Sequence, residues 1–516
     1  MKDLTTDRRI WWLVGGLTLV ALILHLMGQS TRILWIDEAC TYWTIQESPL
    51  AILGGARTDG SPPLYFVLVW LSSTVLGSGE LALRAPSLLA AVALVPGLFW
   101  VGRRIASERA ALFAAGLATV SPLIHYYSVE ARNYTLMQLL VVPVLASLLA
   151  ALEQPGRWQR WALVSGTLAL LLYTHNWAVF LLPAPAIAAL ATASTERIVV
   201  ALRAFGASVA AFVLYLPWYP VASKSAEQGV GDWIVRFWEK TPPAATLFRS
   251  LEVFGFGGAY PEYLSYLGRA STSLRGLSIA VTVILLGTVA WQLRDSTKKM
   301  HRILIAFLLV PLIVAIGYSY AVQPVYLVGR YDSIALPAFL LLGGIGVDSV
   351  LLRASRVGWL LPIGILVLSF VSMGSSFGKP VADTQNLLAV KLLQRDLREG
   401  DVVVTLGLRR AVTEYYLHRS DRRPTIYSYP PEIAEHPGWY SPNRILSSQS
   451  DFDELTLKGK VLADQLASGG AHGKSSVWVL LSNQQPPIDN TFLKPLQEAL
   501  GKPTVIRESG VARFSR

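Results

Sequence analysis

Apolar runs long enough to cross a bilayer recur through roughly the first three-quarters of this chain, and no other feature constrains its fold as strongly. A helix rising about 1.5 Å per residue needs about 20 apolar residues to span the hydrocarbon core. Residues 11–28, WWLVGGLTLVALILHLMG, come close to that length. Similar runs, some shorter, occupy 85–101, 110–124, 135–152, 161–173, 177–191, 204–218, 277–293, 303–320, 334–352 and 359–375. The pattern predicts an all-α polytopic membrane protein with about eleven transmembrane helices.

Charge fits the same reading. Only 15% of the 516 residues are charged, against 53% hydrophobic, where a soluble chain carries about a quarter charged. A formal charge of +11 invites a nucleic-acid partner, but the basic residues fall in short clusters between apolar runs. These are Arg8-Arg9, Arg103-Arg104, Arg157/Arg160, Arg197/Arg203, Arg294/Lys298/Lys299/Arg302 and Arg353/Arg356. Such clusters report topology, and no nucleic-acid partner is expected. The single cysteine, Cys40, excludes an intrachain disulfide and a cysteine-based metal cluster. The first run follows MKDLTTDRRI, exceeds a signal-peptide core in length and lacks a small-x-small cleavage site, so it reads as an uncleaved anchor.

One further apolar run, PPLYFVLVWLSSTVLG at 62–77, is assigned by the positive-inside rule. If it lies along the outer leaflet, every basic cluster faces the cytoplasm; if it crosses, the later clusters oppose Arg8-Arg9. The proline pair also suits the start of a helix. It is therefore predicted as a juxtamembrane helix, with the N-terminus cytoplasmic and the C-terminus outside the cell membrane. Residues 1–378 are expected to form the transmembrane domain, and 379–516 an extracytoplasmic α/β domain. Within the latter, NLLAVKLLQRDLREG reads as a helix, DVVVTL and SSVWVLL as strands, and SYPPEIAEHPG as turn material.

Charged groups at membrane depth are costly and usually functional. On this topology they gather at the outer face. Asp37 and Glu38 sit in LWIDEACTYW, Glu130 and Arg132 in YYSVEARNY with Tyr134 at its end, and His175 in THNW. Arg330-Tyr331 opens the tenth span in PVYLVGRYDSIALP, and Lys224, Glu227, Asp232 and Arg236 follow the seventh. Each has an ordinary reading. Asp37 and Glu38 could cap a helix beginning near Ala39. Glu130 and Arg132 could form an interfacial ion pair, His175 could be a hydrogen-bonded boundary residue, and Arg330-Tyr331 a snorkelling anchor. Together they would also suit transfer from a lipid-phosphate donor. A carboxylate removes the proton of an attacking hydroxyl, and arginines neutralise a phosphate leaving group. Aromatic rings suit a sugar's apolar face and an isoprenoid chain. No P-loop, zinc-ligand spacing or dinucleotide fingerprint is present.

At these residues the sequence resembles the GT-C glycosyltransferases, nearest the branch of protein O-mannosyltransferases and lipid A aminoarabinose transferases. The resemblance rests on WIDEA, SPPLYFVLVWL, GSGELALRAPSLLAAVALV, GRR, SPLIHYYSVEARNYTL, YTHNWA and GRYDSIALP, in that order, and covers residues 1–375. It implies an outward-facing cavity, a polyprenyl-phosphate-linked donor of a hexosyl or pentosyl unit, and an acceptor that is a glycan, lipid or protein. It also implies inversion at the anomeric carbon. By position, Asp37 becomes the base or acceptor-orienting carboxylate, with Glu38 beside it and Glu130 as a second site acid. Arg132 and Arg330 become donor-phosphate residues, with Tyr134, His175 and Tyr331 as neighbours. Relatives carry His or Lys before the proline pair, where this chain has Ser61. That leaves Arg132, Arg330, Lys224 and Arg84 as candidates for its duty. Glu130 stands where some relatives have Asp, which weakens a metal role. Two or three carboxylates could hold a divalent cation, yet nothing in the chain demands a metal or other cofactor. The rival readings are a transporter or flippase of a lipid-linked sugar, and a scaffold whose external domain binds a cell-wall polymer.

Overall fold

The computed structural model describes residues 8–29, 33–192, 196–227, 243–256, 300–353, 359–374, 384–420, 423–434, 448–468, 475–482 and 486–515, with isolated positions between them. The expected span at 277–293 falls almost wholly outside these residues, as do Asp232 and Arg236. The chain forms two compact units. One comprises Met1–Thr31, Gly60–Lys224 and Gly231–Lys379; the other comprises Arg32–Asp59, Ser225–Val230 and Pro380–Arg516.

The first unit is helical. Among the described residues, six helices are long and apolar enough to cross a membrane: Arg8–Gln29, Glu80–Ile105, Tyr134–Glu153, Arg197–Ser225, His301–Ala321 and Tyr331–Leu352. A seventh span exists if Glu108–Thr119 and Pro122–Ser128, bent by 53°, are taken as one. Ser121 explains the bend. Its side chain accepts the N–H of Ile124, capping the second segment, and Pro122 has no N–H to continue the first. Other apolar runs give shorter helices. Asn176–Leu181 is a 3₁₀ turn followed by Ala184–Thr192, interrupted around Pro183 and Pro185. Leu64–Leu76, opened by Pro63, has 13 residues, about 20 Å of rise against a core of about 30 Å.

Small residues bring the helices close. A Cβ on Gly344 would sit 2.2 Å from the carbonyl oxygen of Ala110 and 2.9 Å from the nitrogen of Ala114. Gly102 meets Leu341 and Ala111, and Gly343 meets Leu117. This Ala/Gly seam joins Glu108–Thr119 to Leu336–Arg353, and it matters because lipid tails supply no hydrophobic drive for helix association. At one end of the seam Asp348 accepts from the Arg109 guanidinium and from Ser107 Oγ at 2.6 Å. Ser107 also caps the Glu108–Thr119 helix through Ala110 N–H.

The second unit carries a five-stranded sheet: β1 Val402–Leu406, β2 Thr425–Tyr429, β3 Ser476–Leu480, β4 Thr504–Ile506 and β5 Val511–Ser515. The order is β2-β1-β3-β5-β4, with β1 parallel to β2 and β3, and β5 antiparallel to β3 and β4. Alternation sorts the side chains, as a pleated strand requires. Val404, Leu406, Val477 and Val479 meet Leu455, Ala463, Phe492 and Leu496 from helices Gln449–Ser468 and Pro486–Leu500. Val403, Trp478 and Leu480 meet Ala389, Leu393 and Leu417 from helices Thr384–Asp396 and Arg410–His418. Asp401 ties β1 to β3 by accepting Ser476 N–H at 2.7 Å and Trp478 Nε1–H at 2.8 Å. The expected strands DVVVTL and SSVWVLL are β1 and β3.

The seam generates a direct test. Gly344→Ala should lower the thermal midpoint of the detergent-solubilised protein, with a loss of about 1–3 kcal/mol from forced backbone displacement. Gly317→Ala, where a Cβ meets nothing within 4 Å, should leave it unchanged or raise it.

Candidate active site

Five of the segments singled out from sequence are stitched together in the first unit. Leu64 N–H, after the proline pair, bonds to Tyr173 O at 3.1 Å. Asn176 Nδ2 donates to Gly60 O at 2.8 Å and its Oδ1 accepts from Tyr215 at 2.7 Å. Asn133 Nδ2 donates to Thr174 O at 2.5 Å. Ser87 donates to the backbone carbonyl of Arg132 at 2.8 Å, while Thr135 donates to Ser87 O and Tyr65 pairs with Ser87 Oγ. Buried loop backbone must find such partners, and here they come from neighbouring loops.

The fifth segment, VGRYD, adds the guanidinium. Arg330 is 4% exposed. Its Nε donates to the Tyr134 hydroxyl, and its charge lies 5.4 Å from the ring centroids of both Tyr134 and Tyr331. Aromatic faces attract a cation, the more so away from water. Gly329, at φ +71°, takes a conformation that side-chain-bearing residues avoid, and Tyr127 donates to its carbonyl at 2.5 Å. Ser333 Oγ closes the turn onto Arg330 O at 2.6 Å. The Arg330 backbone is therefore held from both sides.

His175, half-buried, stands against Tyr134 and Tyr331, with ring centroids 5.8 and 5.2 Å away. Its Nδ1 accepts Trp177 N–H at 3.1 Å, so the neutral ring carries its proton on Nε2. Glu130 is 1% exposed, and Tyr127 lies in the field of both Glu130 and Arg330. Arg132 is buried in the same loop. The structure thus gathers Tyr134, His175, Arg330 and Tyr331, and it buries Glu130 and Arg132 in the loop that leads to Tyr134. Other candidates stand differently. Arg84 is fully buried and faces Glu80, one turn earlier, at 3.7 Å. Ser61 is half-buried ahead of Leu64–Leu76, and Lys224 is exposed near the end of helix Tyr219–Glu227.

Sequence reasoning passed over Tyr127, Asn133, Ser87 and Asp332. Asp332 is completely buried, with Ser250 and the backbone of Gly329 and Arg330 acting on its carboxylate. Ser250 in turn pairs with Tyr326 at 2.8 Å. An acid two residues from Arg330 in an apolar run was a readable signal. Ser87 and Asn133 gave none, since their role is backbone satisfaction.

The adjacent acids belong to the second unit, where they open the helix Ile36–Thr44. Glu38 is 1% exposed, and its Oε2 accepts the backbone N–H of Trp35, the cap residue, at 3.2 Å. Its geometry is that of an N3 capping acid. The helix starts at Ile36, earlier than the expected Ala39. Asp37 is half-buried at the second helical position. Among the described residues, no group of three His, Cys, Asp or Glu side chains is placed to hold a metal ion.

Residues 60–220 match the family described as dolichyl-phosphate-mannose-protein mannosyltransferase. ArnT from Cupriavidus metallidurans in the apo state superposes with a TM-score of 0.59 at 12% identity, covering 99% of this chain and 98% of ArnT. ArnT bound to undecaprenyl phosphate gives the same score and identity, covering 97% of each chain. The archaeal oligosaccharyltransferase AglB from Archaeoglobus fulgidus, in complex with an inhibitory peptide and a dolichol-phosphate, gives 0.54 at 11% identity over 91% of this chain and 69% of that one. The chain has the GT-C fold. The expected helical membrane fold with a C-terminal α/β part and the resemblance drawn from the motifs are borne out; the described residues give six or seven spans and do not bear out the expected count of about eleven. No curated protein matches the sequence.

The loop geometry predicts that Tyr127→Phe, which removes the hydroxyl serving Gly329 O, destabilises the first unit by about 1–3 kcal/mol. A lowered thermal midpoint in detergent would register it.

Proposed function

We propose that this protein is a multi-pass membrane glycosyltransferase that moves a sugar from a polyprenyl-phosphate donor to an extracytoplasmic acceptor, with inversion. The observation that carries the reading is Arg330, a guanidinium enclosed by Tyr134 and Tyr331 and braced through Gly329 by Tyr127. A charge withdrawn from water this far is costly unless it serves an anion or another function. The phosphate of a polyprenyl-linked sugar is such an anion, and undecaprenyl phosphate and dolichol-phosphate are what the ArnT and AglB structures hold.

In this scheme Arg330 and Arg132 bind the donor phosphate, with Tyr134, Tyr331 and His175 lining the sugar's side. Asp37 accepts the proton of the acceptor hydroxyl as its oxygen attacks the anomeric carbon. The bond from that carbon to the phosphate oxygen breaks, and polyprenyl phosphate leaves as the anion the arginines stabilise. Glu130 is the second acid, neighbouring the phosphate residues. Glu38 contributes by capping Asp37's helix. Lys224, Ser61 and Arg84 are secondary candidates for donor binding. The acceptor is a glycan, a lipid or a protein.

Purified protein should consume a polyprenyl-phosphate sugar in the presence of acceptor and release polyprenyl phosphate. Asp37→Asn should lower turnover by about 10²–10⁴-fold, the range of a general base, with donor affinity intact. Arg330→Ala should weaken donor binding about 10- to 100-fold, the value of a charge-assisted hydrogen bond. Translocation of the donor across proteoliposomes, without bond cleavage and unchanged in Asp37→Asn, would instead favour a flippase.

A further inference from the structure

The helix bearing Asp37 has nine residues, and an isolated helix shorter than about 12–15 residues is marginal in water. Two hydrogen bonds and a packed face hold it. Leu34 N–H, just before the helix, donates to the Tyr416 hydroxyl at 2.8 Å, and Trp43 Nε1–H, near its end, donates to the carbonyl of Ala411 at 3.1 Å. Between these two bonds Ala39 packs on Ala411 and Val412 with no exposed surface. The Tyr42 ring meets Tyr415 edge-on at 4.8 Å, and Trp43 meets His418 at 5.7 Å.

Every one of those partners belongs to the single helix Arg410–His418, and that helix is fastened to the sheet. Arg410 donates to Ile426 O at 3.2 Å and to Ser428 Oγ at 2.9 Å on β2, while forming a paired contact with Glu414. Arg409, buried at its start, donates to Asn386, Leu481 O, Ser509 O and Gly510 O. Leu417 enters the core with Val403 and Leu480. A short helix is thus pinned at both ends to one rigid element of an α/β sheet.

We infer that the C-terminal α/β unit serves to position Asp37, with Tyr416 and Trp43 as the positioning residues that transmit the sheet's rigidity to the Ile36–Thr44 helix. This rests on the reading of Asp37 as the base. A carboxylate that must meet an acceptor hydroxyl within hydrogen-bond reach loses rate steeply when displaced by an ångström. The unit is therefore part of the transfer machinery and not a separate binding module.

The test uses the full chain with a Tyr416→Phe/Trp43→Phe double variant. These changes remove one hydroxyl and one indole N–H and keep aromatic bulk. Expected are a fall in kcat of at least tenfold, an unchanged KM for the polyprenyl-phosphate donor, and at least tenfold faster amide exchange across residues 34–44. Tyr429→Phe is the control, because it loosens the same unit by removing bonds to Leu455 O and Thr491 without touching the short helix; it should keep kcat. Wild-type kcat in the double variant, beside an inactive Asp37→Asn, overturns the positioning role while leaving the transferase reading intact. Full activity in Asp37→Asn removes Asp37 from the reaction and the positioning role with it.

Discussion

A guanidinium removed from water inside a lipid-facing bundle must be compensated by its surroundings, and in this protein that demand organises the loops of the helical unit. Arg330 draws on the Tyr134 hydroxyl and two aromatic faces. Those groups stay in place only because the loops carrying them satisfy each other's backbone, through Asn133 to Thr174, Asn176 to Gly60, Ser87 to Arg132 and Tyr127 to Gly329. Where water cannot reach, each of these bonds prevents a penalty of about 1–3 kcal/mol that an orphaned group would impose. The polar lattice is the price of placing one cation there.

The lattice in turn needs helices close enough to present the loops at fixed spacing. Between Glu108–Thr119 and Leu336–Arg353 that closeness comes from Gly343, Gly344 and a run of alanines, where a single methyl group would strike backbone. Van der Waals contact between small residues substitutes for the hydrophobic drive that lipid does not supply. Asp348, bonded to Ser107 and Arg109, fixes how the two helices register along the seam.

Much of this was legible in the sequence, for definite reasons. Span-length apolar runs have few alternatives in water, so the membrane class followed directly. Strands β1 and β3 were legible as compact β-branched runs; β4, TVI, has only three residues, and β2 and β5, TIYSY and VARFS, interleave polar residues, so pairing defines them. The span count was less legible, because Pro122, Pro183 and Pro185 divide runs that composition alone reads as continuous. Arg330, Tyr134 and His175 were found because polar groups in apolar context stand out. Ser87 and Asn133 act on backbone far away in sequence, at separations of 45 and 41 residues, and such partners leave no local pattern.

The acids of LWIDEACTYW illustrate how neighbouring residues of like charge divide their work. Successive helical residues point about 100° apart, so Asp37 and Glu38 cannot face the same surroundings. Glu38, at the third helical position, turns back to the Trp35 N–H and is sealed from solvent. Asp37, one residue earlier, stays half-buried. Glu38 makes the capping contact, while Asp37 shares the first turn, where an acid also favours the helix N-terminus. Two acids with different surroundings thus share a nine-residue helix that the α/β unit secures at both ends.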